Sequence, residues 1–187
     1  MFAYTMIGAV GAAAAYAFVK GERAEVEYKR STVDQRTYLV QKFEDSGQAA
    51  DALGKISSDI EALIRHLKQK YPNDERTILV AERFNPAAVS EGSSHTGYTS
   101  YSVDKGQRIV MCLRQEDDSF APPNVTMYVA LHELAHLATK EIGHGVQYWT
   151  NFKHILKEAI AIGIYKKQDF AKDPQPYCGI VVDSSVV

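Results

Sequence analysis

Cysteine is scarce in this chain, and its scarcity excludes several kinds of site. Cys112 and Cys178 are the only two cysteines among 187 residues. Two are too few for a disulfide framework or for a zinc site built from thiolates. A reducing compartment is therefore the simpler expectation, with Cys178 a free thiol in the core. The two side chains could still meet as strand neighbours and form a disulfide.

An excess of charge of one sign is also absent. The chain has 21 basic and 23 acidic residues, and its net charge is −2. No segment carries a stripe of basic residues. Proteins that bind nucleic acids depend on such stripes or patches, so no nucleic-acid partner is expected.

Charged side chains are missing altogether from residues 2–19, FAYTMIGAVGAAAAYAFV. Eighteen residues in a helix span about 27 Å, close to the roughly 30 Å thickness of the hydrocarbon layer. This predicts a transmembrane anchor at residues 1–20, with a cleaved signal peptide or a buried helix as alternatives. Basic residues after the segment favour the cytosolic side of a membrane for the domain, and a virion membrane is a further option. Small residues suited to helix–helix association are Gly8, Gly11, Ala12 and Ala15.

The strongest motif is HELAH at residues 132–136, inside an apolar stretch with helical spacing. Residues four apart on a helix are neighbours, so His132 and His136 can reach the same metal ion. Glu133 would lie beside that ion, where a carboxylate can take a proton from a bound water. This is the HExxH pattern of zinc hydrolases. The alternative is a partly exposed helix whose histidines are merely solvated.

A catalytic zinc usually has three protein ligands and a water molecule, so a third ligand is needed. His144 is the first candidate, because Gly143 and Gly145 permit a sharp turn that returns the chain toward the metal. The other candidates are Glu141, His154 and Glu158.

A hairpin is predicted ahead of the motif, from Tyr98–Val103 and Arg108–Arg114. Side chains in or near it could place a hydroxyl or an imidazole by the oxyanion of a reacting carbonyl. These candidates are Tyr101, Tyr98 and His95. Packing of the tyrosines on the sheet is the alternative.

The remaining elements are predicted from hydrophobic periodicity. Residues 21–45 form a charged stalk followed by a hairpin or extended arm, and Ser46 to Tyr71 form a long amphipathic helix in which His66 is solvated. Thr77–Ala81 is a strand, and Asn85 to Thr96 is a polar loop. A second helix runs from Val146 to about Tyr165, residues 173–176 are a loop, and residues 178–182 are a final strand.

The predicted fold class is therefore α+β. It has a small, mostly antiparallel sheet, a long helix before the sheet, and two helices after it that carry the metal ligands.

HELAH and the following sequence Gly143-His144-Gly-Val-Gln-Tyr148-Trp149 together resemble the minimal zincin metallopeptidases of the WLM and SprT-like groups. In those groups a histidine that opens the next helix, with an aromatic residue shortly after it, completes the zinc site. The resemblance implies that residues 46–187 are a zincin-like metallopeptidase domain with Zn²⁺ as cofactor. It also implies that an edge strand of the hairpin pairs with an extended substrate.

A second similarity covers the run from Tyr98 to Gly179, which looks like a group of uncharacterised proteins of large DNA viruses of algae and protists. The chain departs from the WLM pattern in one respect, because a Trp-Leu-Met signature is absent from its sequence. A zinc ribbon and a nucleic-acid-binding tail are absent from it too. A role in the repair of DNA–protein crosslinks is therefore not carried over.

The predicted function is that of a membrane-anchored, zinc-dependent metallopeptidase acting on a protein or peptide substrate. Glu133 would activate the zinc-bound water that hydrolyses the peptide bond. The alternative is a non-catalytic, membrane-associated structural or assembly protein of a virion that retains a zincin fold. Glu133 favours the enzyme, because a structural zinc site does not need a general base.

Overall fold

A computed structural model describes residues 25–92 and 99–187. Five strands form one sheet in the order β1-β2-β3-β5-β4. They are β1 (Val26–Arg30), β2 (Thr37–Gln41), β3 (Val89–Gly92), β4 (Tyr101–Val103) and β5 (Arg108–Cys112). The strands β1 and β2, predicted as a hairpin or extended arm before the domain, are the first two strands at one edge of this sheet.

The sheet is mixed, so the prediction of a mostly antiparallel sheet is wrong, although the α+β class is confirmed. β1 pairs with β2, and β4 with β5, in antiparallel fashion. β3 lies between β2 and β5 and is parallel to both. Because β2 and β3 run in the same direction, the chain has to return to the end of the sheet where β2 begins before it enters β3. The helices between the two strands make this return.

The long amphipathic helix is confirmed as α1 (Ser46–Lys70). Its apolar stripe packs on the sheet, and Leu53, Ile60 and Leu63 are almost fully buried. The helix ends at Lys70, and its C-cap residue Tyr71 lies directly before Pro72, which cannot continue a helix.

The predicted strand Thr77–Ala81 is wrong, because the structure has a helix there, α2 (Glu75–Arg83). The side chain of Asp74 caps this helix by accepting a hydrogen bond from the backbone N–H of Arg76. A short run of β-branched and apolar residues cannot by itself be assigned to strand or helix. In this chain the Asp74 cap and the charged residues on both sides of the apolar run are part of a helix of about two and a half turns.

The predicted loop from Asn85 to Thr96 in fact contains a short 3-10 helix (Pro86–Ala88) and the central strand β3. The strand is hard to recognise because its buried positions include a charged residue, Glu91. Arg114 compensates the cost of burying this carboxylate, because its Nε donates a hydrogen bond to Glu91 at 2.9 Å.

The two helices after the sheet are α3 (Pro123–Leu137) and α4 (Val146–Ala161). They pack against each other, with Leu134 and Phe152 in the common core. The predicted hairpin is confirmed as β4–β5, and the second helix begins at Val146 as predicted but ends four residues before Tyr165.

A two-stranded hairpin, β6 (Gln175–Tyr177) and β7 (Ile180–Val182), follows the helices. β6 begins inside residues 173–176, where a loop was predicted, and extends one residue beyond them. The hairpin lies against β5, and Cys178 forms a disulfide with Cys112. The prediction of a free thiol at Cys178 is therefore wrong. The disulfide left open as an alternative is present, but the two cysteines are not strand neighbours: Cys178 lies in the turn between β6 and β7, and this hairpin forms a sheet separate from that of β5.

The predicted membrane anchor at residues 1–20 lies outside the described residues. None of the helices within residues 25–92 and 99–187 is long and apolar enough to cross a membrane.

Candidate metal centre

Three histidines converge at one end of α3. His132 and His136 lie on the same face of this helix, one turn apart, with ring centroids 5.1 Å from each other. His144 comes from the loop of residues 138–145 between α3 and α4, and its Nε2 is 3.1 Å from the Nε2 of His132. One nitrogen of each ring lies within 4.8 Å of the other two, and this group could hold a metal ion.

The loop that carries His144 turns back sharply after α3. Gly143 has a φ of +86°, in the left-handed region that glycine adopts without strain. Side chains hold the loop through its backbone carbonyls and through the last carbonyl of α3. Lys105 Nζ donates to the carbonyls of Thr139 (2.9 Å) and Glu141 (2.7 Å), and Arg83 Nη1 donates to that of Leu137 (2.8 Å).

Aromatic side chains from α4 hold the imidazoles in place. Tyr148 is fully buried, and its ring centroid lies 4.5 Å from that of His136 and 4.6 Å from that of His144. Its hydroxyl donates to the backbone carbonyl of His132 at 3.3 Å. Trp149 stacks on His144, with the centroids 5.7 Å apart. The orientation of the rings is thus fixed by packing as well as by the backbone.

The environment keeps two of the imidazoles neutral. Burial lowers the pKa of His132 to about 3, and repulsion from His136 and His144 acts in the same direction. Burial likewise lowers the pKa of His136 to about 4, with a contribution from His144 and Lys105. A neutral imidazole has a free nitrogen lone pair, which is the form that binds a metal.

Glu133 is buried beside the histidines, with 5 % of its surface exposed. Burial raises the pKa of its carboxyl to about 7, although hydrogen bonds from the side chain and backbone of Ser102 oppose the shift. Ser102 belongs to the strand β4. A carboxyl with a pKa near 7 can both accept and return a proton at neutral pH.

These groups lie on the floor of a cleft of about 600 Å³. The strand β4 and the turn after it form one side, and residues 142–144 form the other. Tyr101 lines this cleft and is 40 % exposed. Tyr98 and His95, the other two predicted oxyanion groups, lie outside the described residues.

Within the described residues, the rival third ligands are not part of the group of three histidines. The carboxylate of Glu158, three turns along α4, accepts hydrogen bonds from Lys70 (2.9 Å) and Tyr71 (2.8 Å) and contacts His66 Nε2 at 2.7 Å. His66 is therefore paired, and the prediction that it is merely solvated is wrong. Within the described residues, the group of His132, His136 and His144 includes neither Glu141 nor His154.

Ser102 and Tyr148 were not predicted as site residues. Ser102 is not part of a recognisable sequence motif. Only the position of β4 beside α3 brings it to Glu133. Tyr148 had a weak signal as an aromatic residue four positions after His144, but sequence alone does not show that its ring contacts two imidazoles.

The residues present fit a metal ion. Three imidazoles that face an open cleft match the donor set of a catalytic zinc site, which keeps one position for water or substrate. A buried carboxyl next to these imidazoles is what metal-assisted hydrolysis requires and a purely structural site does not.

Two viral proteins are similar to this chain over most of its length. A protein of Acanthamoeba polyphaga mimivirus is 34 % identical over 173 residues, which cover 90 % of this chain and 88 % of that protein. A protein of Invertebrate iridescent virus 6 is 24 % identical over 161 residues, covering 80 % of this chain and 86 % of its own length. Both relatives are uncharacterised. No solved structure matches the chain.

The family comparison covers most of the described fold. The profile of the WLM domain matches residues 32–179, from the β1–β2 turn to the C-terminal hairpin. This range includes the three histidines, Glu133 and both cysteines. The chain therefore belongs to the WLM domain family, a family of zincin-like metallopeptidases.

Proposed function

We propose that this protein is a zinc metallopeptidase that hydrolyses peptide bonds in a protein or peptide substrate. His132, His136 and His144 would hold the metal ion, and Glu133 would serve as the general base. The observation that carries the proposal is the convergence of three imidazole nitrogens within 4.8 Å, beside a buried carboxyl on the floor of an open cleft.

A zinc ion in this position would supply Lewis acidity, which lowers the pKa of water and polarises a carbonyl group. Glu133 would take a proton from the attacking water and then pass it to the leaving amine. Its buried position beside the histidines places the carboxylate where both transfers would occur. Ser102 holds the carboxyl in place through its side chain and backbone.

The substrate would lie along β4. Among the described residues, this strand lies at the edge of the sheet, beyond β5. A strand at a sheet edge can bind an extended peptide through main-chain hydrogen bonds. β4 borders the cleft through Tyr101 and Ser102, so a peptide added there would cross the floor on which Glu133 and the histidines lie.

The proposal is tested by measuring bound zinc and peptide cleavage on the same sample. We expect about one zinc per chain, cleavage of a peptide library, loss of cleavage with a chelator, and recovery when zinc is returned. His144→Ala should bind zinc more weakly, whereas His154→Gln should bind it as the wild type does. Equal zinc binding by both variants would remove His144 from the site.

Membrane attachment through residues 2–19 is a separate proposal, supported by the charge-free sequence of that segment. The full chain should stay with membranes after extraction at alkaline pH, and a chain that starts at Gly21 should be released. Release of both would contradict the anchor.

A further inference from the structure

A second, smaller pocket of about 250 Å³ adjoins the cleft. The two share four lining residues, Thr99, Ser100, His132 and Glu133. They therefore meet at the carboxyl that the proposed mechanism uses. A group that occupies the smaller pocket lies next to the bond on which Glu133 would act.

The walls of this pocket are mainly apolar and come from three elements. Val129 lies on α3 one turn before His132, and Trp149 and Phe152 lie on α4. The third wall is β7, with Ile180, Val181 and Val182.

The apolar surface at the mouth faces solvent. Trp149 is 45 % exposed, Ile180 50 % and Val181 60 %. A contiguous exposed patch of large apolar side chains indicates a binding site more often than a single exposed apolar side chain does. Binding at such a patch is favourable because it removes apolar surface from water.

The wall formed by β7 is fastened to the rest of the fold. Tyr177, in the same hairpin, donates its hydroxyl to the Cys112 carbonyl and shares a hydrogen bond with Ser100 Oγ, both at 2.7 Å. The disulfide between Cys112 and Cys178 joins the hairpin to β5. The pocket is thus already formed, and filling it requires little ordering of the chain.

We propose that this pocket binds one large apolar side chain of the substrate, adjacent to the scissile bond. The inference rests on the proposed function, which makes the occupant part of a peptide. A volume of about 250 Å³ is below the range of roughly 300–1,000 Å³ that pockets for whole small molecules occupy, so it suits a single side chain. An acidic side chain would be rejected, because it would be desolvated beside Glu133 and Asp183.

Trp149 provides a direct readout, since it is the single tryptophan of the chain and lines the pocket. Its fluorescence can be titrated with acetylated and amidated hexapeptides Gly-Ala-Ala-Xaa-Ala-Gly, where Xaa is Leu, Phe, Ala, Lys or Asp. The measurement uses the full chain and does not depend on turnover. We expect the Leu and Phe peptides to bind at least about tenfold more tightly than the Ala peptide, and the Lys and Asp peptides to bind no better than Ala.

Val181→Asp should remove this preference, because it puts a charge at the mouth of the pocket. Val33→Asp is the matched control: Val33 is 50 % exposed, lies in the turn between β1 and β2, and takes no part in the pocket. The control should keep the wild-type preference. Thermal unfolding of both variants verifies that they fold. Equal affinity for the Leu and Ala peptides, tighter binding of the Lys peptide, or a preference that survives in Val181→Asp would overturn the inference.

Cleavage separates this inference from the proposed function. Zinc-loaded wild type should cut a peptide mixture next to large apolar residues, which would support both. Cleavage without such a preference contradicts the pocket assignment alone. A selective response of Trp149 to the Leu peptide without any cleavage contradicts the proposed function and supports the pocket as a peptide-binding site.

Discussion

Lys105 donates a hydrogen bond from Nζ to the backbone carbonyl of Thr139 at 2.9 Å. This contact joins the turn between β4 and β5 to the loop that carries His144. A second bond from the same ammonium, to the carbonyl of Glu141 at 2.7 Å, fixes the loop at another point. The strand that borders the cleft and the loop that supplies the third imidazole are therefore held in a defined relation by one side chain.

Lys105→Met should loosen the loop and weaken zinc binding by about tenfold, the lower end of what outer contacts of metal ligands contribute. Competition with a chromogenic chelator measures the affinity. Lys140→Met is the matched control, since Lys140 is in the same loop but forms an exposed ion pair with Glu75, which contributes little. Equal zinc affinities for the two variants would show that Lys105 does not position His144.

Tyr148 should act mainly through its ring. Tyr148→Phe keeps the contacts with His136 and His144 and loses one hydrogen bond to the His132 carbonyl, which costs about 1 kcal/mol of unfolding free energy. Tyr148→Ala also removes a fully buried ring and should cost about 3–5 kcal/mol. Urea unfolding of the metal-free chains measures both values. A similar loss in the two variants would mean that the hydroxyl is the more important group.

The disulfide should stabilise the fold considerably, because it closes a segment in which the two cysteines are 66 positions apart. A disulfide that closes a loop of this length restricts the unfolded chain and thereby raises the free energy of unfolding by about 4 kcal/mol. We expect a reductant to lower the unfolding free energy of the wild type by up to this amount. The double variant Cys112→Ser and Cys178→Ser should be insensitive to reductant. Detection of two free thiols in the unreduced, denatured wild type would contradict the pairing.

Glu158 should make stability depend on pH in the acidic range. Burial alone would raise the pKa of its carboxyl, but hydrogen bonds from Lys70, His66 and Tyr71 outweigh burial and lower the pKa to about 2. The folded state therefore favours the carboxylate more than the unfolded state does, in which the pKa is near 4.5. The resulting stability, on the order of 2–3 kcal/mol, is fully present above about pH 4.5 and is lost as the pH falls toward 2.

Unfolding free energies of the wild type and Glu158→Gln, measured from pH 7 to pH 2.5, test this dependence. The variant should be less stable at pH 7, and the difference should shrink as the pH falls. Glu75→Gln serves as the control, because Glu75 forms only an exposed ion pair with Lys140 and should leave the pH profile unchanged. A difference between wild type and Glu158→Gln that stays constant with pH would contradict the argument.

The part of the site that the sequence predicted is the part encoded locally. His132 and His136 are four residues apart on one helix, so their proximity follows from helical geometry alone. His144 was predictable as the first candidate because Gly143 permits the left-handed turn that the structure contains.

Contacts between distant segments could not be predicted in the same way. Ser102 reaches Glu133 only because β4 lies beside α3, and Glu158 pairs with His66 and Lys70 across 88 to 92 positions of sequence. The strand β3 could not be predicted because the charged Glu91 interrupts its apolar pattern. The residue that compensates this charge, Arg114, belongs to another segment of the chain. The disulfide depends in the same way on the pairing of β6 with β7.

The most direct test of catalysis is the comparison of wild type with Glu133→Gln for zinc content and peptide cleavage. Glutamine nearly preserves the shape of the side chain next to Ser102 but cannot accept a proton. We predict that both proteins hold one zinc per chain and that cleavage falls by at least about a hundredfold in the variant. Cleavage by Glu133→Gln at the wild-type rate, or one zinc in each protein with no cleavage by either, would contradict the assignment of this protein as a Glu133-dependent peptidase.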